Sequence, residues 1–181
     1  MPLEYTLNVD FRSGEVRHVL ERDRLVLSFA KDGRTDSVPL SSIREINLRM
    51  DMGIPHAYVK RDGGKTLLVP ARHFRGIGIF DERFAEYSDF MRALLEATSK
   101  ASPSTRFTAG SSILFGLGLL LVAIGIVFGV LVAIASVARG LPPLRLLLVL
   151  PFSLISGLGL VRSGRARQID PAHPPADVLP A

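Results

Sequence analysis

The chain has 181 residues, with 22 Lys and Arg against 17 Asp and Glu, a formal charge of +5, and no cysteine. The missing cysteines exclude disulfides, thiolate metal sites and a cysteine nucleophile. A basic balance draws proteins to phosphate, but residues 1–109 hold 17 of the cations and 15 of the acids, so nucleic acid is not an expected partner.

Residues 1–20 interleave Glu4, Asp10, Arg12, Glu15 and Arg17 with apolar positions. They lack the continuous apolar core of a signal peptide. Short strand-like segments follow one another to residue 70: Glu4–Val9, Val16–Leu20, Leu25–Phe29, Asp36–Leu40, Ile43–Met50, Ala57–Arg61 and Thr66–Pro70. Turn residues punctuate them at short spacing. Arg12-Ser13-Gly14, Lys31-Asp32-Gly33 and Asp62-Gly63-Gly64 are the clearest turns, with Gly33 supplying a positive φ. Asp62-Gly63-Gly64-Lys65 lacks the spacing and the Ser/Thr of a phosphate loop, and a hairpin turn is the better reading. From Asp81 to Ser99 the period changes. Phe84, Tyr87, Met91 and Leu94 fall on one helical face, with Phe90 and Leu95 beside it. Asp81 and Glu82 are expected at the positive N-terminal end of that helix.

Between strand and helix lies Ala71–Phe80, ARHFRGIGIF. Arg72, His73 and Arg75 make it the candidate surface for an anionic ligand or partner at a helix N-terminus. The plainer, favoured reading is a loop whose Phe74 and Phe80 plug one end of the domain. His18, His56, His73 and His173 have no spaced partner of the HxxxH or HExxH kind, and no G-x-S-x-G occurs. No catalytic residue, cofactor or metal is therefore expected.

Residues 99–109 read as a linker. From Gly110 to Ala138 the chain carries no charge and is long enough to cross a bilayer, which takes about 20 residues. Pro142 and Pro143 force a turn within residues 139–145. A second apolar run, Leu146–Val161, is marginal in length and interrupted by Pro151; a full second span is expected, with a buried or re-entrant segment as the alternative. Gly125 and Gly129 form a GxxxG, and Ser153 with Gly157 a small-xxx-small pair. Packing within a helical hairpin is the first expectation for these four residues and homodimerisation the second. Lys100 and Arg106 precede the first run, and Arg162, Arg165 and Arg167 follow the second, against Arg139 and Arg145 in the turn. The positive-inside rule then places both termini in the cytoplasm. Residues 162–181, with four prolines in their last fourteen positions, read as a disordered tail.

Three stretches carry a resemblance: RLVLSFAKDGRTDSVPLSSIREINL (24–48), AYVKRDGGKTLLVP (57–70) and FAEYSDFMRALLEA (84–97). Together they resemble bacterial pleckstrin-homology-like (PH-like) membrane proteins. The resemblance implies a mainly β domain over residues 1–98, a seven-strand antiparallel barrel or sandwich capped by a C-terminal helix, and a bacterial inner-membrane location. It brings no catalytic residue. Phosphoinositide binding is not carried over, because Glu21, Asp23, Asp32 and Asp36 interrupt Arg22, Arg24, Lys31 and Arg34.

The expected function is a non-catalytic interaction or scaffold module, held at the membrane by the helical hairpin and offering a sheet edge or the 71–80 loop to a protein partner. Confinement raises effective concentration. The alternative is a sensor of anionic lipid surfaces using Lys100, Arg106, Arg162, Arg165 and Arg167. A small enzyme or transporter subunit is the third class.

Overall fold

A computed structural model describes residues 3–8, 14–51, 54–76, 79–138 and 146–179. The chain forms two compact units. One comprises Met1–Ala109 together with Arg167–Ala181, the other Gly110–Ala166.

The first unit opens with four antiparallel strands in sequence order: β1 (Leu3–Asn8), β2 (Glu15–Leu20), β3 (Arg24–Phe29) and β4 (Thr35–Pro39). Gly14 and Gly33, at φ of +66° and +64°, occupy the left-handed region at the turns. A 3-10 turn, Leu40–Ser42, leads into β5 (Ile43–Asp51), followed by β6 (Ile54–Arg61) and β7 (Leu67–Pro70). The register of β5 on β6 shifts between Ile43 and Glu45. This bulge explains the imperfect alternation of IREINL, since the extra residue lets Ile43, Ile46 and Leu48 all point inward. All seven expected strands are present, their ends differing by at most three residues.

Helix α1 spans Phe84–Ala101 and buries Tyr87, Phe90, Met91, Leu94 and Leu95. These residues share one core with Tyr5, Leu7, Leu25, Val38, Ile46 and Val59 from both sheets. Among the described residues no sheet closes into a barrel, and helix and strand contribute about equally. The expected barrel is thus not closed: the first unit holds separate four- and five-stranded sheets, and much of the helix in the chain belongs to the second unit. The closing element is α1, which covers apolar positions of both.

The structure departs from the expected elements in three further places. Residues 71–80 are no loop: β8 (Arg72–Gly76) and β9 (Ile79–Glu82) form an antiparallel hairpin, and α1 begins only after it. The supposed linker holds the end of α1 and then β10 (Arg106–Ala109), which runs parallel to β5. Thr105 anchors this segment by donating to the Ile43 carbonyl at 2.7 Å. The supposed disordered tail returns to the same sheet. β11 (Arg167–Gln168) pairs antiparallel with β10, and Val178 and Leu179 are buried in the core. In the last two segments a few apolar residues (Phe107, Ala109, Val178, Leu179) gain burial in stretches too short to show a period. The five-stranded order is β11-β10-β5-β6-β7.

The second unit pairs α2 (Ser112–Ala138) with α3 (Leu146–Gly164). Within α2, Ile113–Ser136 is long and apolar enough to cross a membrane; α3 offers only the shorter apolar stretch Pro151–Arg162, with Pro151 inside the helix. The expected turn at 139–145 lies outside the described residues.

Candidate functional site

The β8–β9 hairpin holds the three residues singled out in sequence. In its register Arg72 faces Glu82, His73 faces Asp81, and Phe74 faces Phe80. Arg72 donates to Glu82 at 3.1 Å, and Arg75 forms an ion pair with Asp81. His73 Nδ1 accepts the Asn8 backbone N–H at 3.0 Å. Both arginines are therefore answered by acids of the same hairpin. Those acids, Asp81 and Glu82, act as strand residues and not as partners of the helix dipole. The plug reading fares no better. Phe74 and Phe80 stack edge to face at 5.6 Å, but Phe80 is 47% and Ile79 60% exposed. The hairpin presents apolar surface outward.

A different place gathers more chemistry. A cleft of about 580 Å³ lies between strands β2–β4 and the β6–β7 hairpin. Its walls include Val16, Leu27, Phe29 and Leu67, and its mouth Arg34, Asp36, Arg61 and Lys65. Arg61 grips Asp36 with two hydrogen bonds, at 3.1 and 2.6 Å, so the Asp36 carboxyl sits below its ordinary range. The Arg61 Nε is buried without a hydrogen bond. Arg34 lies over the Phe29 ring at 4.4 Å and only 4.0 Å from Asp32. Lys65 pairs with no acid among the described residues.

His18 also lines this cleft. Alternation along β2 turns Val16, His18 and Leu20 inward, and His18 is 1% exposed. Its ring lies 6.2 Å from Tyr5 and 6.1 Å from Phe90, and its Nδ1 has no hydrogen-bond partner. Burial lowers its pKa to about 4, only partly opposed by the backbone of Tyr5 and Val16. The unfolded ring titrates near 6.5. As pH falls through that value the unfolded chain takes up the proton first, so stability is lost between about pH 6.5 and 4, and no more is lost below. The loss should reach about 3 kcal/mol. We expect His18→Leu to flatten the midpoint-versus-pH curve in that window. An unchanged curve would mean that His18 titrates as an exposed ring.

The sequence reading passed over this cleft. The signal available was a histidine at an inward register position of VRHVL; the convergence of Arg34, Arg61 and Lys65 depends on how the two sheets meet.

In the second unit the small residues serve helix packing. A Cβ built at Gly125 would meet Ser153 Cβ at 2.5 Å, and one at Gly157 would meet Val122 Cγ2 at 2.5 Å and the Gly118 carbonyl at 3.0 Å. Gly129 is buried as well. Three of the five flanking cations are taken by acids of the first unit: Lys100 by Glu96 at 2.6 Å, Arg106 by Glu45 at 3.9 Å and Arg167 by Asp177. Arg162 and Arg165 are exposed. Among the described residues no group of three His, Asp or Glu gathers as a metal site.

The chain is thus a unit of largely antiparallel sheets and one covering helix into which an apolar helical pair is inserted. No family model, no curated protein and no solved structure matches it.

Proposed function

We propose that this is a two-pass inner-membrane protein whose PH-like unit faces the cytoplasm and serves, without catalysis, as a membrane-anchored interaction module. Connectivity carries the reading. Thr108 pairs with Gln168 and Ala109 with Arg167, so the chain re-enters its unit beside the strand it left. If Ile113–Ser136 crosses a bilayer, the chain has to cross back, and α3, packed antiparallel on α2, is the segment available for it. Its short apolar stretch is eased by Arg162 at the far end, which can snorkel to the interface. The PH-like part of the reading rests on order: four antiparallel strands, three more, and a covering helix, with the β8–β9 pair set between the seventh strand and that helix. For a protein partner the unit offers β7, a sheet-edge strand with Leu68 41% exposed, and the outward Ile79 and Phe80. Unpaired strand edges template further pairing.

The absence of native cysteine makes a direct test available. Single substitutions Glu96→Cys, Gly140→Cys and Ala172→Cys are treated in intact cells with a membrane-impermeant maleimide. Labelling of Gly140→Cys alone, with the other two reacting only after lysis, is the expected pattern. Labelling of Ala172→Cys from outside would sink the two-pass orientation.

A further inference from the structure

The cleft between β2–β4 and the β6–β7 hairpin has the size of a small-molecule site, about 580 Å³, and sets an apolar strip of Val16, Leu27, Phe29 and Leu67 beside convergent polar groups. His18 is its least explained member. A buried polar atom without a partner costs about 1–3 kcal/mol, and an apolar side chain at this position would avoid that cost. The unbonded Nε of Arg61 is a second buried donor in the same cleft. Charge at the mouth is uneven. Asp36 is satisfied by Arg61, while Arg34 is held loosely by Asp32 and Lys65 by no acid among the described residues. Positive charge is therefore left over where the apolar walls open to solvent.

We propose that this cleft binds a small anionic amphiphile. An apolar chain lies against Val16, Leu27 and Leu67, a neutral hydroxyl or carbonyl meets His18, and a negatively charged end sits at Arg34 and Lys65. A ring held neutral by its surroundings suits a neutral hydrogen-bonding group, since Nδ1 is a donor in one tautomer and an acceptor in the other. The anionic end is a carboxylate or a phosphate. The ligand is thus a free fatty acid or a single-chain phospholipid, both available to a protein held at a bilayer. The site lies wholly within the first unit and does not depend on how many times the second crosses the membrane.

The test uses the full chain in lipid nanodiscs with traces of three photoactivatable probes: a diazirine-bearing palmitic acid, a diazirine-bearing lysophosphatidylglycerol and a diazirine-bearing hexadecanol. Cross-linked peptides are mapped by mass spectrometry. We expect at least one anionic probe to label residues 16–35 or 61–68, and the acid and lysolipid arms tell a fatty acid from a membrane lipid. Hexadecanol should label these peptides far less. Cleft labelling should fall about tenfold in His18→Leu and in the double variant Arg34→Ser with Lys65→Ser. Labelling of α2 serves as the internal reference and should stay constant. The double variant alters exposed mouth residues, so it reports even if His18→Leu perturbs the fold. Labelling confined to α2 and α3, equal labelling by hexadecanol, or cleft labelling unchanged in both variants would each overturn the proposal.

Discussion

Excising residues 110–166 and joining Ala109 to Arg167 through an Asn-Gly turn should yield a folded protein that is soluble without detergent. Ala109 and Arg167 are direct partners in an antiparallel pair, and Asn-Gly closes such a pair as a two-residue type I′ turn. The excised helices carry the bulk of the exposed apolar surface: Ile113, Ile124, Val127, Leu131 and Ile134 are between 57% and 73% exposed. What remains keeps its core residues from both sheets, from α1 and from the C-terminal segment. The variant should elute as a discrete species in size-exclusion chromatography and melt cooperatively, with a mixed helix and strand signal in circular dichroism. Aggregation, or a non-cooperative melt, would show that the first unit depends on the helical pair for its fold.

Leu179→Asp should lower the melting midpoint of that soluble variant sharply, despite lying in a proline-rich segment. Leu179 is fully buried, Val178 nearly so, and Ile169 packs against the same core. Losing a buried leucine costs about 2–5 kcal/mol, and placing a carboxylate in an apolar site adds a desolvation penalty. Against a total stability of about 5–15 kcal/mol the variant should be largely unfolded near physiological temperature. Ala172→Asp, at an exposed position, is the control and should leave the midpoint within about 0.5 kcal/mol of the parent. Equal midpoints for the two variants would mean that the C-terminal segment does not pack on the core.

The first seven strands and the face of α1 were legible because their signals are local and repeated. Gly14, Gly33 and Gly63 all take positive φ where turns were expected, and Tyr87, Met91 and Leu94 are buried as their spacing implied. What escaped was non-local. RFTA is too short for an alternation to be counted, yet becomes β10 because the β5 edge and the Ile43 carbonyl await it. The proline content of residues 168–181 reads as disorder, but two apolar residues at its end find core positions, and proline costs little in a segment that makes so few ladder bonds. At the candidate sites the same rule holds. Arg72 and Arg75 looked available because Asp81 and Glu82 were assigned to a helix; the hairpin register puts those acids across from them. The mouth of the cleft assembles from the start of β4 with the turn before it, from the end of β6 and from the β6–β7 turn, and no sequence spacing links Arg34 with Arg61 and Lys65.

Pairing the first strand after α1 with one that follows both apolar helices fixes an order of events during synthesis. β1–β10 and α1 leave the ribosome first, whereas β11 and the Val178–Leu179 anchor come last. At about 5–20 residues per second, several seconds or more separate the two. Until then the outer edge of β10 is unpaired and part of the core is open, a condition that invites aggregation. On the two-crossing reading, the helices enter the bilayer while the cytoplasmic unit is still incomplete. Closure of that unit then reports that the chain has come back to the side it started from. On that reading, a molecule whose second helix fails to return cannot dock Val178 and Leu179, and the outer edge of its β10 stays unpaired.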